Sequence, residues 1–280
     1  MTAEGAQGVL YVVGTPIGNL EDITYRAVRI LGEVDLVAAE DTRSARTLLA
    51  RYNLRCRTMS YFTGNEARRA AELLKQLQDG ARVALISESG MPGVSDPGER
   101  LIRRCVEAGV RVEVVPGPSA AVAALVASGL PTAPFAFVGF LPRAGAARRK
   151  ALEQLRIEPG AVVLYESPRR VGATLADLLE GLGDRPAALA RELTKLHEEV
   201  VRDSLAGLAE RYRDAPPRGE VTLVIGPAAD AAQLPAEALE QEIRDRLAAG
   251  QSARQIADAL AVYGKRAVYQ RALALQRALP

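Results

Sequence analysis

The period of the apolar positions changes along the chain. Short apolar, β-branched-rich runs occupy 9–14 (VLYVVG), 35–40 (DLVAAE), 82–87 (RVALIS) and 111–117 (RVEVVPG). Between them, at 23–31, 42–52, 65–80 and 98–109, apolar residues recur three and four apart. The first set predicts buried strands and the second amphipathic helices. In the 65–80 stretch Leu73, Leu74 and Leu77 share one face, and Gly80 stops the helix. Such alternation predicts a largely parallel sheet flanked by helices, an α/β fold. A second unit starts after PGPSAA: Ser119 or Pro118 opens an apolar helix running to 129. Strands are expected at 135–140, 161–167, 187–194, 198–203 and 220–226, with a helix over 169–183. A stretch with two prolines, 226–235, precedes three helical segments broken at Gly250 and Gly264. The last two resemble a helix-turn-helix bearing Arg254, Lys265, Arg266, Arg271 and Arg277, or equally a small capping bundle with solvated basic residues. The units expected are 8–116, 117–227 and 235–280.

Composition narrows the function classes. The 280 residues exceed one average domain, and 48% apolar with 25% charged residues fits a globular chain. A net charge of +2 confines any nucleic-acid role to local patches. Cys56 and Cys105 have neither metal-site nor disulfide-framework spacing, which suits a reducing cytoplasm. No apolar run reaches membrane-spanning length, and MTAEGAQG lacks the pattern of a secretory signal. His197 is the only histidine, so a multi-histidine metal site is excluded and a histidine triad is confined to its surroundings. The chemistry expected needs little acid–base help and no metal.

Ligands in open α/β sheets bind beyond the carboxyl ends of strands. Six loops lie at such ends: 14–19, 39–43, 87–98, 116–120, 165–170 and 192–195. GTPIGN is neither a dinucleotide fingerprint nor a P-loop, and reads as a ligand loop or a plain turn. AEDTR sets Glu40, Asp41 and Arg43 at a strand end, with Thr42 able to cap the next helix. SESGMPGVSDPG holds more glycine and proline than a turn needs; its glycines are expected to free backbone groups for a ligand. Asp96, before Pro97, reads as a cap for the following helix. In YESPRR, Ser167 as cap and Pro168 at the first helical position is a sufficient account. In RELTKLHEE, ion pairs among Arg191, Glu192, Lys195 and Glu198 are another.

Taken in order, LYVVGTPIGNLEDITYRAVRIL, VDLVAAEDTR, GMPGVSDPG, VVPGPSAAVAAL, GFLPR, YESPRR, RELTKLHEE and GEVTLVIG resemble the tetrapyrrole-methylase superfamily. More narrowly they resemble its branch that acts on small-subunit ribosomal RNA. The resemblance runs from about Leu10 to Gly226, TPIGNLEDIT with AEDTR being its most specific part, and the basic tail is similar to that branch's helical extension. It implies two α/β domains with S-adenosylmethionine in the cleft between them, in a cytoplasmic homodimer needing neither metal nor membrane. The implied reaction is 2′-O-methylation of a decoding-centre cytidine in 16S rRNA, with the 30S subunit as partner. The implied cofactor contacts are Pro16 and Gly18; Gly90, Met91, Val94 and Ser95; Ser119 and Ala120; Tyr165 and Glu166; Glu192 and Leu193; Gly219 and Glu220.

Methyl transfer from a sulfonium is an in-line displacement with a good leaving group, so alignment supplies much of the acceleration. A ribose hydroxyl is a poor acid, and a base or cation near it should help. Asp41, Glu88 and Glu192 are the candidate bases; Lys195 and Arg43 are the candidates to steady an alkoxide or hold a phosphate. The pair expected to act is Lys195 with Asp41. Arg143, Arg148, Arg149, Lys150, Arg169, Arg170, Lys265 and Arg266 are expected to track RNA phosphates. Two departures stand out. Relatives commonly read D-A-G-T-P where Glu88–Pro92 reads ESGMP, and carry a histidine-containing segment where YFTGNE has Phe62 and Gly64. Two alternatives follow: a tetrapyrrole C-methyltransferase, with no evident use for the basic tail, and a non-catalytic RNA- or ribosome-binding paralogue.

Overall fold

The structure is a computed structural model that describes residues 8–227, 236–260, 263 and 265–278. Its first sheet contains β1 (Val9–Val13), β2 (Leu36–Ala39), β3 (Thr58–Ser60), β4 (Arg82–Ile86) and β5 (Arg111–Val115). The order is β3-β2-β4-β1-β5 and every neighbouring pair is parallel. Both faces are covered, which is why β2 is buried throughout and reads as a continuous apolar run. On one face α3 (Glu66–Gln78) and α4 (Glu99–Glu107) pack Leu73, Leu77 and Leu101 onto Leu10 and Leu85. On the other, α1 (Tyr25–Glu33) and α2 (Thr42–Arg51) pack Ile30, Leu31 and Leu48 onto Val13 and Val37. Thr24 caps α1, its side chain accepting from the Ala27 N–H at 3.0 Å. The cap of α2 is Asp41 rather than Thr42. Strand β3, three residues long, has no counterpart in the sequence expectations.

The second sheet holds β6 (Phe135–Phe140), β7 (Ala161–Glu166), β8 (Pro186–Arg191), β9 (Glu199–Ser204) and β10 (Val221–Ile225), in the order β6-β7-β10-β8-β9. Only β6 and β7 are parallel neighbours. The apolar helix α5 (Ala120–Ser128), capped by Ser119, lays Ala121, Ala124 and Leu125 on one face, against Val163, Ala188 and Val224. The opposite face carries α6 (Gly145–Arg156), α7 (Val171–Leu182) and α8 (Leu205–Arg211). Strand β8 stops three residues short of its expected end because Glu192 and Thr194 take left-handed backbone angles, φ 51° and 66°.

Strand β10 fixes what the sheet presents to the cleft. It runs antiparallel between β7 and β8, so Val221 lies opposite both Glu166 and Arg191. Gly219 and Glu220, which enter β10, therefore reach the same edge as the carboxyl ends of β7 and β8.

Beyond the sheets, α9 (Ala236–Ala248), α10 (Ala253–Ala259) and α11 (Lys265–Ala278) pack around Ile243, Ile256, Leu260, Val268 and Ala272. Ser252 and Gln255 form a reciprocal capping box at the start of α10. Most of the proline-bearing stretch at 226–235, the break at Gly264, the side chain of Arg277 and most of the N-terminal MTAEGAQG stretch lie outside the described residues. Among the described residues no helix is long and apolar enough to cross a membrane.

Candidate active site

The loops after β1, β4 and β5 meet the edge of the second sheet around a cavity of about 360 Å³. The first sheet contributes Ile17, Ser89–Met91 and Val94–Asp96, and the start of α5 contributes Ser119 and Ala120. The second contributes Phe140, Tyr165–Pro168, Ala190, Leu193 and Gly219–Thr222. The loops after β1 and β5 cross in backbone contact: a Cβ on Gly14 would stand 2.7 Å from the Gly117 Cα. No side chain fits at either position. Gly90 behaves differently from the sequence expectation. Its N–H donates to the Thr15 carbonyl at 3.1 Å and its carbonyl accepts from the Thr15 N–H at 2.9 Å. The backbone groups thought free for a ligand instead tie two loops together, and the φ of 77° turns the chain.

Contacts also cross the cleft at two places. The Asn19 N–H donates to Thr194 Oγ1 at 3.0 Å, and a Cβ on Gly18 would meet the Lys195 Cγ at 2.5 Å. Ser95, itself at φ 65°, rests on Gly139, where a Cβ would lie 2.7 Å from its Oγ.

On the second sheet's side the charges are committed. Glu166, 2% exposed, accepts from Thr174 Oγ1 at 2.6 Å and from the Ser167 N–H at 2.8 Å, with Arg170 Nη2 at 3.4 Å. Thr174 in turn accepts from Arg148 Nη2 at 3.0 Å, and Arg148 Nε donates to Asp177 at 2.6 Å. Glu192 Oε1 accepts from the Glu220 N–H and from Lys195 Nζ, both at 3.0 Å. Lys195 Nζ also reaches Glu220 Oε2 at 2.9 Å. The Lys195 amine holds the Glu192 carboxyl below its usual range. Burial works to lower the Lys195 pKa, yet its bonds to Glu220 and Glu192 leave it raised. Gly219 makes room for this knot, since a Cβ there would fall 2.2 Å from Glu192 Oε1.

These positions redraw the expected site. Of the expected cofactor residues, Gly90, Met91, Val94, Ser95, Ser119, Ala120, Tyr165, Glu166, Leu193, Gly219 and Glu220 line the cavity. Pro16, Gly18 and Glu192 do not; Ile17 takes the place between the first two. The expected pair of Lys195 and Asp41 is not formed. Asp41 is bound to its own helix start, with Oδ1 accepting from the Arg43 N–H at 2.7 Å and Oδ2 paired to Arg43 Nη2 at 2.9 Å. Arg43 depresses the Asp41 pKa, which makes it a weaker base, and neither residue lines the cavity. Among the residues expected on RNA, Arg143, Arg149, Lys150, Arg169, Lys265 and Arg266 are exposed, Lys265 being paired with Asp258. Arg170 is partly buried. Arg148 is removed from that patch: it is 8% exposed, and Asp177, Thr174 and the Pro142 carbonyl take up its guanidinium.

Sequence reasoning missed Asp96 as a site residue. The N-cap of α4 is Gly98, whose N–H donates to Glu66 Oε1 at 3.2 Å, so Asp96 is not the helix cap it resembles. It lines the first cavity and also a second one of about 360 Å³, whose walls include Glu40, Thr63, Glu66, Arg100 and Arg103. Burial, then the nearby Glu40 carboxylate, push its pKa up to about 6. Glu88 and Glu220 add to the rise, and the Ser87 hydroxyl opposes it. An Asp-Pro-Gly before a helix reads locally as a cap; only the carboxylates gathered from other strands reveal the difference. The remaining unforeseen lining residues, among them Phe140, Ala190 and Thr222, sit on strands and carry no motif.

A family model described as Tetrapyrrole (Corrin/Porphyrin) Methylases matches residues 9–209. A protein of Thermotoga maritima named ribosomal RNA small subunit methyltransferase I is 46% identical over 218 residues, 78% of this chain and 98% of its own. One of the same name from Mesorhizobium japonicum is 43% identical over 278 residues, 98% of this chain and 94% of its own. Among solved structures, uroporphyrin-III C-methyltransferase from Thermus thermophilus superposes with a TM-score of 0.56 at 26% identity, covering 80% of this chain and 96% of that one.

Proposed function

The chain belongs to the tetrapyrrole (corrin/porphyrin) methylases, and we propose that within them it transfers a methyl group from S-adenosylmethionine to small-subunit ribosomal RNA. The acceptor in this reading is the ribose 2′-oxygen of a decoding-centre cytidine of 16S rRNA, presented by the 30S subunit in the cytoplasm. The observation that carries it is the match to ribosomal RNA small subunit methyltransferase I along nearly the whole chain, 98% of it in one case.

The cavity suits the cofactor. Its volume falls in the range of small-molecule sites. Among the described residues its lining contains no Lys, Arg or His, but does contain Asp96, Glu166 and Glu220. A nucleotide phosphate would find no cation there, whereas a positively charged sulfonium finds negative charge. Tyr165, with Phe137 edge-on at 5.0 Å and Phe140 at 5.7 Å, offers an apolar surface for a purine. The serines at 89, 95, 119 and 167 and the loop backbone are there for the polar ends. S-adenosylmethionine supplies a methyl group on a sulfur that leaves as a neutral thioether; the protein's part is to hold, orient and exclude water. The departures at Glu88 and Met91 are compatible with this: Met91 packs its sulfur against Gly14, and the Glu88 side chain is exposed.

A second copy of the chain is part of the reading. Helix α5 is apolar all round, yet Val122 and Val126 are exposed, as are Val114 on the edge strand β5 and Leu196. Such a face suits a homodimer, and analytical ultracentrifugation tests it. For the reaction, the protein is incubated with methyl-labelled S-adenosylmethionine and 30S subunits lacking ribose methylation, and the label is mapped. Label on one cytidine ribose is expected. No label, when a relative labels the same subunits, overturns the reading in favour of an RNA-binding protein; label on a porphyrinoid instead favours the tetrapyrrole alternative.

A further inference from the structure

Every other acid on the wall of the first cavity already has a partner in the fold. Glu166 serves Thr174, Ser167 and Arg170, and Glu220 is paired with Lys195. Asp96 caps no helix and enters no ion pair among the described residues; the Ser87 hydroxyl hydrogen-bonds it, but among those residues no cation or backbone donor does. Ser95 and Asp96 alone line both cavities, and Ser95 is turned onto Gly139. The shared wall thus offers one ionisable group. We propose that Asp96 is the catalytic base, taking the proton of the acceptor hydroxyl as the acceptor nucleotide enters through the second cavity. This rests on the methyltransferase reading above.

The second cavity has the chemistry of a nucleotide's approach. Arg100 on its wall suits a phosphate, and Arg103 beside it is held, among the described residues, only by an exposed pair with Glu99 at 3.6 Å. Thr63 lines it, and the neighbouring Phe62 is 45% exposed, an aromatic face on which an unstacked base can rest. In the step, a lone pair of the ribose oxygen forms the new bond to the methyl carbon while the carbon–sulfur bond breaks, its electron pair remaining on sulfur. The hydroxyl proton passes to the Asp96 carboxylate and from there to water.

The carboxylate has to be ionised to act, and the groups around it set where that happens. Glu40, Glu88 and Glu220 face it from the ends of β2, β4 and β10, and Tyr165 from β7. Across the second cavity stand Glu66, Glu99, Arg100 and Arg103. Burial first, and then the carboxylates of Glu40, Glu88 and Glu220, bring the pKa to about 6, strong enough as a base yet ionised at neutral pH.

The test is Asp96→Asn in the full chain. Methyl transfer to 30S subunits should fall about 100-fold or more at neutral pH. The wild-type rate should decline as pH drops through about 6, and the residual rate of the variant should not. Two readouts need no turnover. Calorimetry should show that the variant still binds S-adenosylmethionine, weakened about tenfold at most by the lost carboxylate charge, so that the fall in rate at saturating S-adenosylmethionine exceeds the loss of binding. Carbon-13 NMR of the unliganded wild-type protein should show Asp96 titrating near 6. A variant rate within about threefold of wild type, or a variant that keeps the acid limb, overturns the proposal. Should Asp96→Asn not fold, Asp96→Ser takes its place with the same expectations. A wild-type protein that labels nothing sinks the parent reading; a wild type that labels beside an equally active variant sinks only this one.

Discussion

Glu166 and Asp96 face one cavity from opposite sheets, and their surroundings differ in what governs a carboxylate. Glu166 is nearly inaccessible, with a hydroxyl, a backbone N–H and a guanidinium on its two oxygens. Asp96 is partly accessible and has acids for neighbours. The same contrast extends to whole rims. The second sheet closes its charges into the Glu166–Thr174–Arg148–Asp177 chain and the Glu192–Lys195–Glu220 knot. The first sheet leaves Glu40, Glu88 and Asp96 acting on one another. A buried charge with partners makes a fixed wall, whereas one crowded by like charges is held in a state it would leave. One rim supplies shape and the other supplies reactivity.

That contrast can be broken most severely on the closed side. Arg148→Ala strips the cation from the half-exposed Asp177 and a donor from the buried Thr174 together, and should cost about 2–4 kcal/mol of stability, read from urea unfolding. Next in size, Gly219→Ala places a Cβ on the Glu192 carboxylate at a backbone φ of 82°. It should destabilise by about 2 kcal/mol and weaken S-adenosylmethionine binding about tenfold, measured by calorimetry.

Asp96→Asn sharpens the contrast from the open side, with the opposite sign. The folded pKa of Asp96, about 6, lies above its unfolded value near 3.8. Its protonated form therefore favours the fold, and that contribution is lost as pH rises from 3.8 through about 6. The substitution should stabilise the protein by about 1–2 kcal/mol above that range, after allowance for water at the site, and by little below it. Melting temperatures across pH decide the matter: a variant less stable at every pH would mark Asp96 as structural. A residue whose removal costs turnover and adds stability is the pattern expected where function is held against the fold. The smallest effect belongs to Arg43→Ala, whose partner Asp41 is at the surface; its unfolding midpoint should be indistinguishable from wild type in moderate salt.

Much of the fold was legible because apolar period is a local property. The strands at Val9–Val13, Leu36–Ala39, Arg82–Ile86 and Arg111–Val115 lie within the runs that predict them. The antiparallel insertion of β10 was not legible, since strand partners are chosen over long separations. Nor was β3, too short to show a period. Arg148 is the instructive miss. It looks like Arg149 and Lys150 in a basic patch, but Leu152 and Leu155 follow it at four and seven residues, and both pack on the core. The period places Arg148 on the inward stripe of α6, and charge alone hid it. The loops that line the cavity were visible from their position at strand ends, whereas the roles of Asp41, Lys195 and Asp96 were not. Each depends on which partner sits opposite, and helix capping, ion pairing and proton transfer draw on the same residue types.

The placement of β10 has a consequence for biosynthesis. Because this strand fills the gap between β7 and β8, a nascent chain that has emerged only as far as Arg191 lacks the middle of its second sheet. It also lacks Gly219 and Glu220, so the cavity has no floor on that side. Cofactor capture during translation is therefore expected to wait until Gly219–Thr222 have left the ribosome and paired into the sheet. A messenger truncated before that point is expected to yield a product that lacks this wall of the cavity and with it the grip on the methyl donor.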